Sequence, residues 1–302
     1  MNIVSGFLYY GILIPFSWLP YRILYFISDG LYVLLYRLFS YRKTVVLQNI
    51  ANSFPEKSHL EHLEITDRFY RHLCDLIVES IKVFSISDEE VQRRMQVINP
   101  EFINRFYQEG RSVILAGGHY NNWELFAVAI DRAIKHQAVA LYKPFTNAYF
   151  DKKMCESRGK YGLKMVSTKK TKEEFEMNHD LRAIIFGIDQ SPNNHRNAYW
   201  STFLHQDTGM MFGVEKYAKE FNLPVIYARI NKVKRGYYTF EFVDAIEYPL
   251  NTAYGEITLK TNRLLEQDIT QQPEFWLWSH KRWKHKRPAI EEMVHAPLAS
   301  TI

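Results

Sequence analysis

The first 21 positions of this 302-residue chain, Met1 to Tyr21, hold no charged side chain. Cysteine is almost absent as well: Cys74 and Cys155 are the two present, without paired metal-like spacing, which excludes a disulfide framework and a zinc site and fits a reducing compartment. The chain has no His-Glu-x-x-His, and His136 falls outside any recognised ligand spacing, so no metal site is expected. Internal repeats, low-complexity tracts and long Gly/Ser linkers are missing too, which argues against a solenoid and a second catalytic domain. With 47% apolar residues, a chain of this length buries a substantial core, which excludes disorder.

The uncharged start is rich in Leu, Ile, Phe, Tyr and Trp and is about as long as a bilayer crossing requires. Pro15 and Pro20 interrupt it, and a second apolar run, Ile23 to Leu38, carries Asp29 and Arg37. A kinked span and a shallow interfacial helix both fit; the rival reading is a buried helical hairpin in a soluble protein. No basic residue precedes the run and no small-residue cleavage site follows it, so a cleaved signal peptide is not expected. Arg22, Arg37, Arg42 and Lys43 all follow the first run, which places the remainder on the cytoplasmic side. Residues 1–40 therefore read as a membrane-anchoring apolar helical segment and residues 41–302 as one domain. The formal charge is +5, with Lys281, Arg282, Lys284, Lys286 and Arg287 crowded together. Beside Trp278 and Trp283 these cations suit lipid phosphates, with the indoles at headgroup level, or an acidic carrier protein. The block is too short for a nucleic-acid partner to be expected.

Tyr41 to Phe54 reads as a short basic helix stopped by Pro55, and Leu60 to Phe84 as a long amphipathic one. Ser112 to Ala116 is then a short buried strand, Gly117-Gly118 a tight turn, and Trp123 to Ile134 a helix. The alternation continues with strand Gln137 to Tyr142, helix Asn147 to Lys160, strand Lys164 to Ser167 and strand Ala183 to Ile188. A helix Met210 to Phe221, strands Pro224 to Ile230 and Tyr237 to Val243, and a last helix Tyr254 to Gln272 complete it. This pattern predicts an α/β fold: a mostly parallel central sheet flanked by helices, with an N-terminal membrane-contacting helix.

In Gly117-Gly118-His119-Tyr120-Asn121-Asn122-Trp123-Glu124, the glycines turn the chain off a strand end, where open α/β sheets place their sites. On one helix, His119 and Glu124 would point about 140° apart. With His119 in the turn and Glu124 in the first helical turn, the imidazole can fold back onto the carboxylate. A carboxylate on one ring nitrogen fixes the tautomer and leaves the other nitrogen free to take a proton from a hydroxyl, with a pKa near ~6.5 suited to neutral pH. Against this stands a simpler reading, His119 as a helix cap and Glu124 as a helix-dipole carboxylate.

These residues resemble the bacterial lipid A biosynthesis acyltransferases. The His119 to Glu124 block looks like that family's His-x4-acid motif, Asp189-Gln190 after a buried strand like a second landmark, and Phe275-Trp276-Leu277-Trp278-Ser279-His280-Lys281-Arg282-Trp283-Lys284, closing at Arg287-Pro288, like its C-terminal signature. Arg42 to Pro55, with Asn49, and Arg158 to Gly162 are similar as well, so the likeness spans Tyr41 to Pro288. It implies transfer of a fatty acyl chain from acyl carrier protein, or another acyl thioester, to a glycolipid hydroxyl at the cytoplasmic face of the inner membrane. His119 would be the general base and Glu124 the carboxylate orienting it; the acyl thioester would be a co-substrate, with no cofactor. Asn122, Arg158, Asp189 and Gln190 are the substrate-binding candidates. Arg158 could stabilise the oxyanion or be a helix-surface charge. Asp189 could position substrate, hold Arg158, or be a strand-end turn residue. No Ser or Cys adjoins His119, so direct transfer is expected, with Cys155 the one nucleophile able to approach in space. Asn121, where a smaller residue is usual, implies a reshaped acceptor pocket, and Ser191-Pro192-Asn193-Asn194 departs from the usual continuation. The alternatives are O-acylation of an aminolipid or other membrane lipid, and a catalytically idle lipid-binding protein of the same fold.

Overall fold

A computed structural model describes residues 3–177, 180–192 and 198–288. The chain starts with α1 (Ile3–Phe7), a π-helical stretch Leu8–Leu13, and α2 (Ile14–Trp18). Pro15 has no N–H to give the preceding turn, and the widened turn just before it accommodates that loss. Leu19 precedes Pro20 and is therefore extended, which ends the first arm. The second arm, α3 (Tyr21–Tyr32) continued by Val33–Leu38, leaves at 113°, and among the described residues no single helix is long and apolar enough to cross a membrane. This arm lies on the body: Ser28 Oγ donates to Asp75 over 2.7 Å, and Arg235 joins Asp29 to Asp75.

Next come α4 (Lys43–Ser53) and α5 (His59–Lys82). Helix α5 starts at a reciprocal capping box: Ser58 Oγ accepts from the Glu61 amide and the Glu61 carboxylate accepts from the Ser58 amide. Then follow α6 (Asp88–Arg94), strand β1 (Met95–Val97) and α7 (Pro100–Gln108), three elements that the hydrophobic pattern of the sequence left unassigned because each is short and draws its stability from packing. The α/β core runs β2 (Val113–Gly117), α8 (Trp123–Ala133), β3 (Gln137–Tyr142), α9 (Ala148–Gly159), β4 (Lys164–Ser167), α10 (Thr171–Glu176) and β5 (Arg182–Gly187). A small hairpin, β6 (Tyr199–Phe203) and β7 (Gln206–Met210), precedes α11 (Gly213–Glu220), so the helix expected from Met210 starts three residues later, after a strand. The chain ends with β8 (Val225–Lys234), β9 (Tyr237–Ile246) and α12 (Glu256–Gln271), followed by the C-terminal segment.

The main sheet has the order β1-β9-β8-β2-β5-β3-β4, parallel except for the β8–β9 pair. Successive residues of β2 face opposite sides: Ile114 and Ala116 join one apolar core with α5, α11 and α12, while Val113 and Leu115 join another with α7 and α8. Both faces are covered, which is why the central strands read as continuous apolar runs.

Candidate active site

The site forms where β2 and β5 end. These strands are parallel neighbours with Gly117 opposite Gly187, and the Ile188 amide donates to the Gly117 carbonyl over 2.9 Å. His119 and Asp189 each lie two residues beyond that glycine pair, so the register alone sets them side by side. Asp189 Oδ1 accepts from His119 Nδ1 and Oδ2 from the His119 backbone amide, each over 2.8 Å. The Trp276 indole N–H donates to the same Oδ2 over 2.8 Å. Glycine eases the close approach at two points: a Cβ on Gly118 would stand 2.7 Å from a Leu265 methyl and 3.3 Å from Asp189 Oδ2, and one on Gly187 would stand 3.3 Å from His119 Cε1, so side chains there would crowd the pair.

Burial alone would raise the Asp189 carboxyl, but the charge of His119 and the hydrogen bonds from His119 and Trp276 hold it at about 2. Burial likewise depresses His119, and the Asp189 carboxylate beside it outweighs that, leaving the imidazole above its ordinary value. With Nδ1–H donated to a carboxylate, the lone pair lies on Nε2. The Gln190 amide nitrogen stands 3.2 Å from Nε2, and the ring is 25% exposed, so the free nitrogen faces the open side of the site. Trp123 packs edge-on against the ring at 5.2 Å between centroids.

Glu124 does not make the expected bond. Its oxygens take the Arg158 fork, Nε to Oε2 over 2.8 Å and Nη2 to Oε1 over 2.5 Å. The carboxylate on His119 is Asp189 instead, and Asp189 therefore does not hold Arg158. The physical reason is reach: Asp189 arrives from the neighbouring strand beside Nδ1, while Glu124 on α8 turns to Arg158 of α9. The two pairs adjoin, since both Glu124 and Arg158 act electrostatically on His119.

Asn122, a substrate-binding candidate, is turned inward and 1% exposed. Its Oδ1 caps α8 by accepting from the Leu125 amide over 2.8 Å, and its Nδ2 donates to buried Glu79 over 2.6 Å. Asn121 is buried too, in the left-handed region with φ +55°, its amide donating to the Ile230 carbonyl over 2.7 Å. It braces the turn from inside, and a short polar side chain tolerates that backbone conformation. Cys155 lies one turn before Arg158 on α9, beside Arg158 and Tyr142. Asn193 and Asn194 lie outside the described residues.

The C-terminal block is also different from its expected role. Trp278 is 0% exposed and its indole donates to the Pro273 carbonyl over 2.6 Å; Trp283 donates to Thr208 over 2.7 Å. The Trp278 ring is thus committed to the core, while Trp283 stays part-exposed. Asn49 donates to the Trp278 and His280 carbonyls, and Arg42 to the Ser279 carbonyl, so the Arg42 to Pro55 motif clamps this segment in place. Arg282 is buried; one Nη donates to the Gly209 carbonyl, and burial pushes its pKa down to about 10. Arg287 pairs with Asp207, which leaves Lys281, Lys284 and Lys286 as exposed cations. His280 Nε2 accepts from the Ser191 amide over 3.2 Å, tying the segment to the loop after Asp189. Among the described residues no group of three or more His, Cys, Asp and Glu side chains stands at metal-binding spacing.

A histidine held by a buried carboxylate at the C-terminal edge of a parallel sheet, beside a fixed guanidinium, has the chemistry to accept a proton from a hydroxyl, and here it belongs to an acyltransferase. The chain is a member of the bacterial lipid A biosynthesis acyltransferase family, whose profile it matches over residues 2–285. It is similar to the lipid A biosynthesis palmitoleoyltransferase of Escherichia coli (strain K12), with 20% identity over 293 residues covering 95% of this chain and 94% of that one. It is also similar to the lipid A biosynthesis lauroyltransferase of the same organism, 22% identical over 275 residues covering 90% and 89%.

Proposed function

We propose that this protein moves a fatty acyl chain from an acyl thioester, carried by acyl carrier protein, onto a hydroxyl of a lipid A precursor. The observation that carries this reading is the His119–Asp189 pair, with Nε2 unblocked by any carboxylate, in a chain of the lipid A acyltransferase family. His119 Nε2 takes the acceptor hydroxyl proton as its oxygen bonds to the thioester carbonyl carbon. Asp189 keeps the proton on Nδ1 and stabilises the imidazolium formed. The tetrahedral oxyanion is stabilised by Arg158, which Glu124 holds in a two-point grip. Collapse breaks the carbon–sulfur bond, and the leaving thiolate takes the proton back from Nε2. No covalent enzyme intermediate is formed. Gln190, whose amide meets Nε2, is displaced by or donates to the incoming hydroxyl.

Seating on the cytoplasmic face of the bacterial inner membrane suits the outward face of the N-terminal arms, where Phe26 is 79%, Trp18 70% and Phe7 66% exposed. The bent arms lie as an interfacial wedge, bringing the lipid acceptor to the site. The test is mass spectrometry of products after wild type and His119→Ala meet acyl carrier protein thioesters and a panel of lipid A precursors and aminolipids. A gain of one acyl group on a lipid A precursor with wild type alone is expected. A gain on the aminolipid alone would reassign the acceptor, and equal turnover by His119→Ala would end the mechanism.

A further inference from the structure

We propose that Glu79 is a positioning residue through which the seating of α3 on the protein body sets the catalytic turn. Glu79 is a buried carboxylate on α5 with no cation within ion-pair distance among the described residues. Three neutral donors from three separate elements converge on it. Tyr25 Oη of α3 donates to Oε1 over 2.8 Å, Tyr238 Oη of β9 to Oε2 over 2.8 Å, and Asn122 Nδ2 to Oε2 over 2.6 Å. Burial, and after it the Asp75 carboxylate, push this carboxyl up, while the Tyr238 and Tyr25 hydrogen bonds and the more distant Lys232 charge pull it the other way. A well-packed apolar residue would serve stability as well or better, so the carboxylate is a means of fixing geometry.

What it fixes is the start of α8. Asn122 is held at both ends, its oxygen on the Leu125 amide and its nitrogen on Glu79, and it stands between His119 and Glu124 in the chain. On the other side, Tyr25 belongs to the arm whose opposite face exposes Ile23 and Phe26. Asp75, one turn before Glu79, takes Ser28 and Arg235 and fastens the same arm, but Glu79 is the one of the two that reaches the site. A single carboxylate thus joins the arm that meets lipid to the cap of the helix bearing Glu124. This inference rests on the acyl-transfer reading of the site, and its test includes a measurement independent of that reading.

The experiment compares the full-length chain, Glu79→Gln, Asn122→Asp and the double variant, by hydrogen–deuterium exchange of residues 119–126 and by steady-state acyl transfer. Glu79→Gln keeps an oxygen towards Asn122 and Tyr238 and turns its NH2 to the Tyr25 hydroxyl, which accepts, whereas Asn122→Asp sets carboxylate against carboxylate. In the double variant the new amide N–H donates to the new carboxylate, whose other oxygen still caps Leu125. Asn122→Asp should speed exchange about tenfold and lower kcat about 10- to 100-fold with KM for the thioester within about twofold, Glu79→Gln should stay within about threefold of wild type, and the double should return to within about threefold of wild type as well. A folded Asn122→Asp with wild-type exchange and kcat, losses confined to KM, or a folded double no better than Asn122→Asp would overturn the proposal. Tyr25→Phe, which removes one donor at nearly constant volume, covers failure of the singles to fold: about threefold slower turnover supports the coupling and unchanged turnover and exchange refute it. If wild type transfers no acyl group, the functional reading fails while the exchange comparison still decides the role of Glu79.

Discussion

Asp189 has two oxygens, and three donors meet them: both the ring and the backbone of His119, and the Trp276 indole. An amide at position 189 would present its NH2 to Nδ1 and put the ring proton on Nε2, where it blocks the base. Asp189→Asn should therefore lower kcat by about 10³- to 10⁴-fold, the scale of a wrong tautomer, with little change in folding, as read by kinetics and circular dichroism. The acid limb of kcat/KM should also move. In this mechanism the base must be neutral, so wild-type activity falls as pH drops through a His119 value above 6.5; without the Asp189 charge, burial is opposed only by the weaker Glu124 charge and the limb shifts to lower pH. A limb that stays in place would remove Asp189 from the mechanism. The same pair adds stability that is present above the unfolded Asp value of 3.8 and is lost as pH falls towards about 2. On the other side, His119, raised from 6.5, loses its share as pH rises through its folded value.

At the scale of elements, the C-terminal segment is a clamp. Trp276 reaches Asp189, Trp278 fills the core under α4, and Asn49 of α4 holds the turn between Trp278 and His280. The family signature in this block is thus explained by packing and by support of Asp189, where charge and aromatic content alone pointed to lipid headgroups. Trp278→Ala should cost about 3–5 kcal/mol of stability, the range for emptying a large buried aromatic site, measured by chemical denaturation. A loss under about 1 kcal/mol would mean that the segment is held from elsewhere. A strand register explains the other element-scale surprise. Residues 70 positions apart meet because β2 and β5 are parallel neighbours with their glycines opposite one another.

For the whole molecule, the bent apolar arms are built into the body on one face and bare on the other. Tyr25, Ser28 and Asp29 are tied to α5 and Arg235, so removing the arm would strip the core, whereas outward residues can be changed without touching a buried contact. Replacing Phe7, Trp18 and Phe26 together with Ser should reduce sedimentation with anionic vesicles at least about tenfold, since each large side chain contributes roughly 1.5–3 kcal/mol when buried. The far-ultraviolet circular dichroism should be unchanged. Full sedimentation of that triple variant would place the membrane contact on another surface.

The sequence by itself determined the alternation of strands and helices, the mostly parallel sheet, the glycine turn after β2 and the family, because these depend on local periodicity, turn chemistry and motifs. It also singled out His119, Glu124, Arg158, Asp189 and Gln190, since each stands at a strand end or in a familial block. Which carboxylate meets His119 was not legible there: spacing along the chain favoured Glu124, and the choice of Asp189 depends on the order and register of β2 and β5. The inward turn of Asn122 towards Glu79 and the burial of Trp278 were hidden for the same reason. Local sequence sets what a segment can become, but the partner of a polar side chain is decided by which distant segment the packed sheet brings within about 3 Å of it.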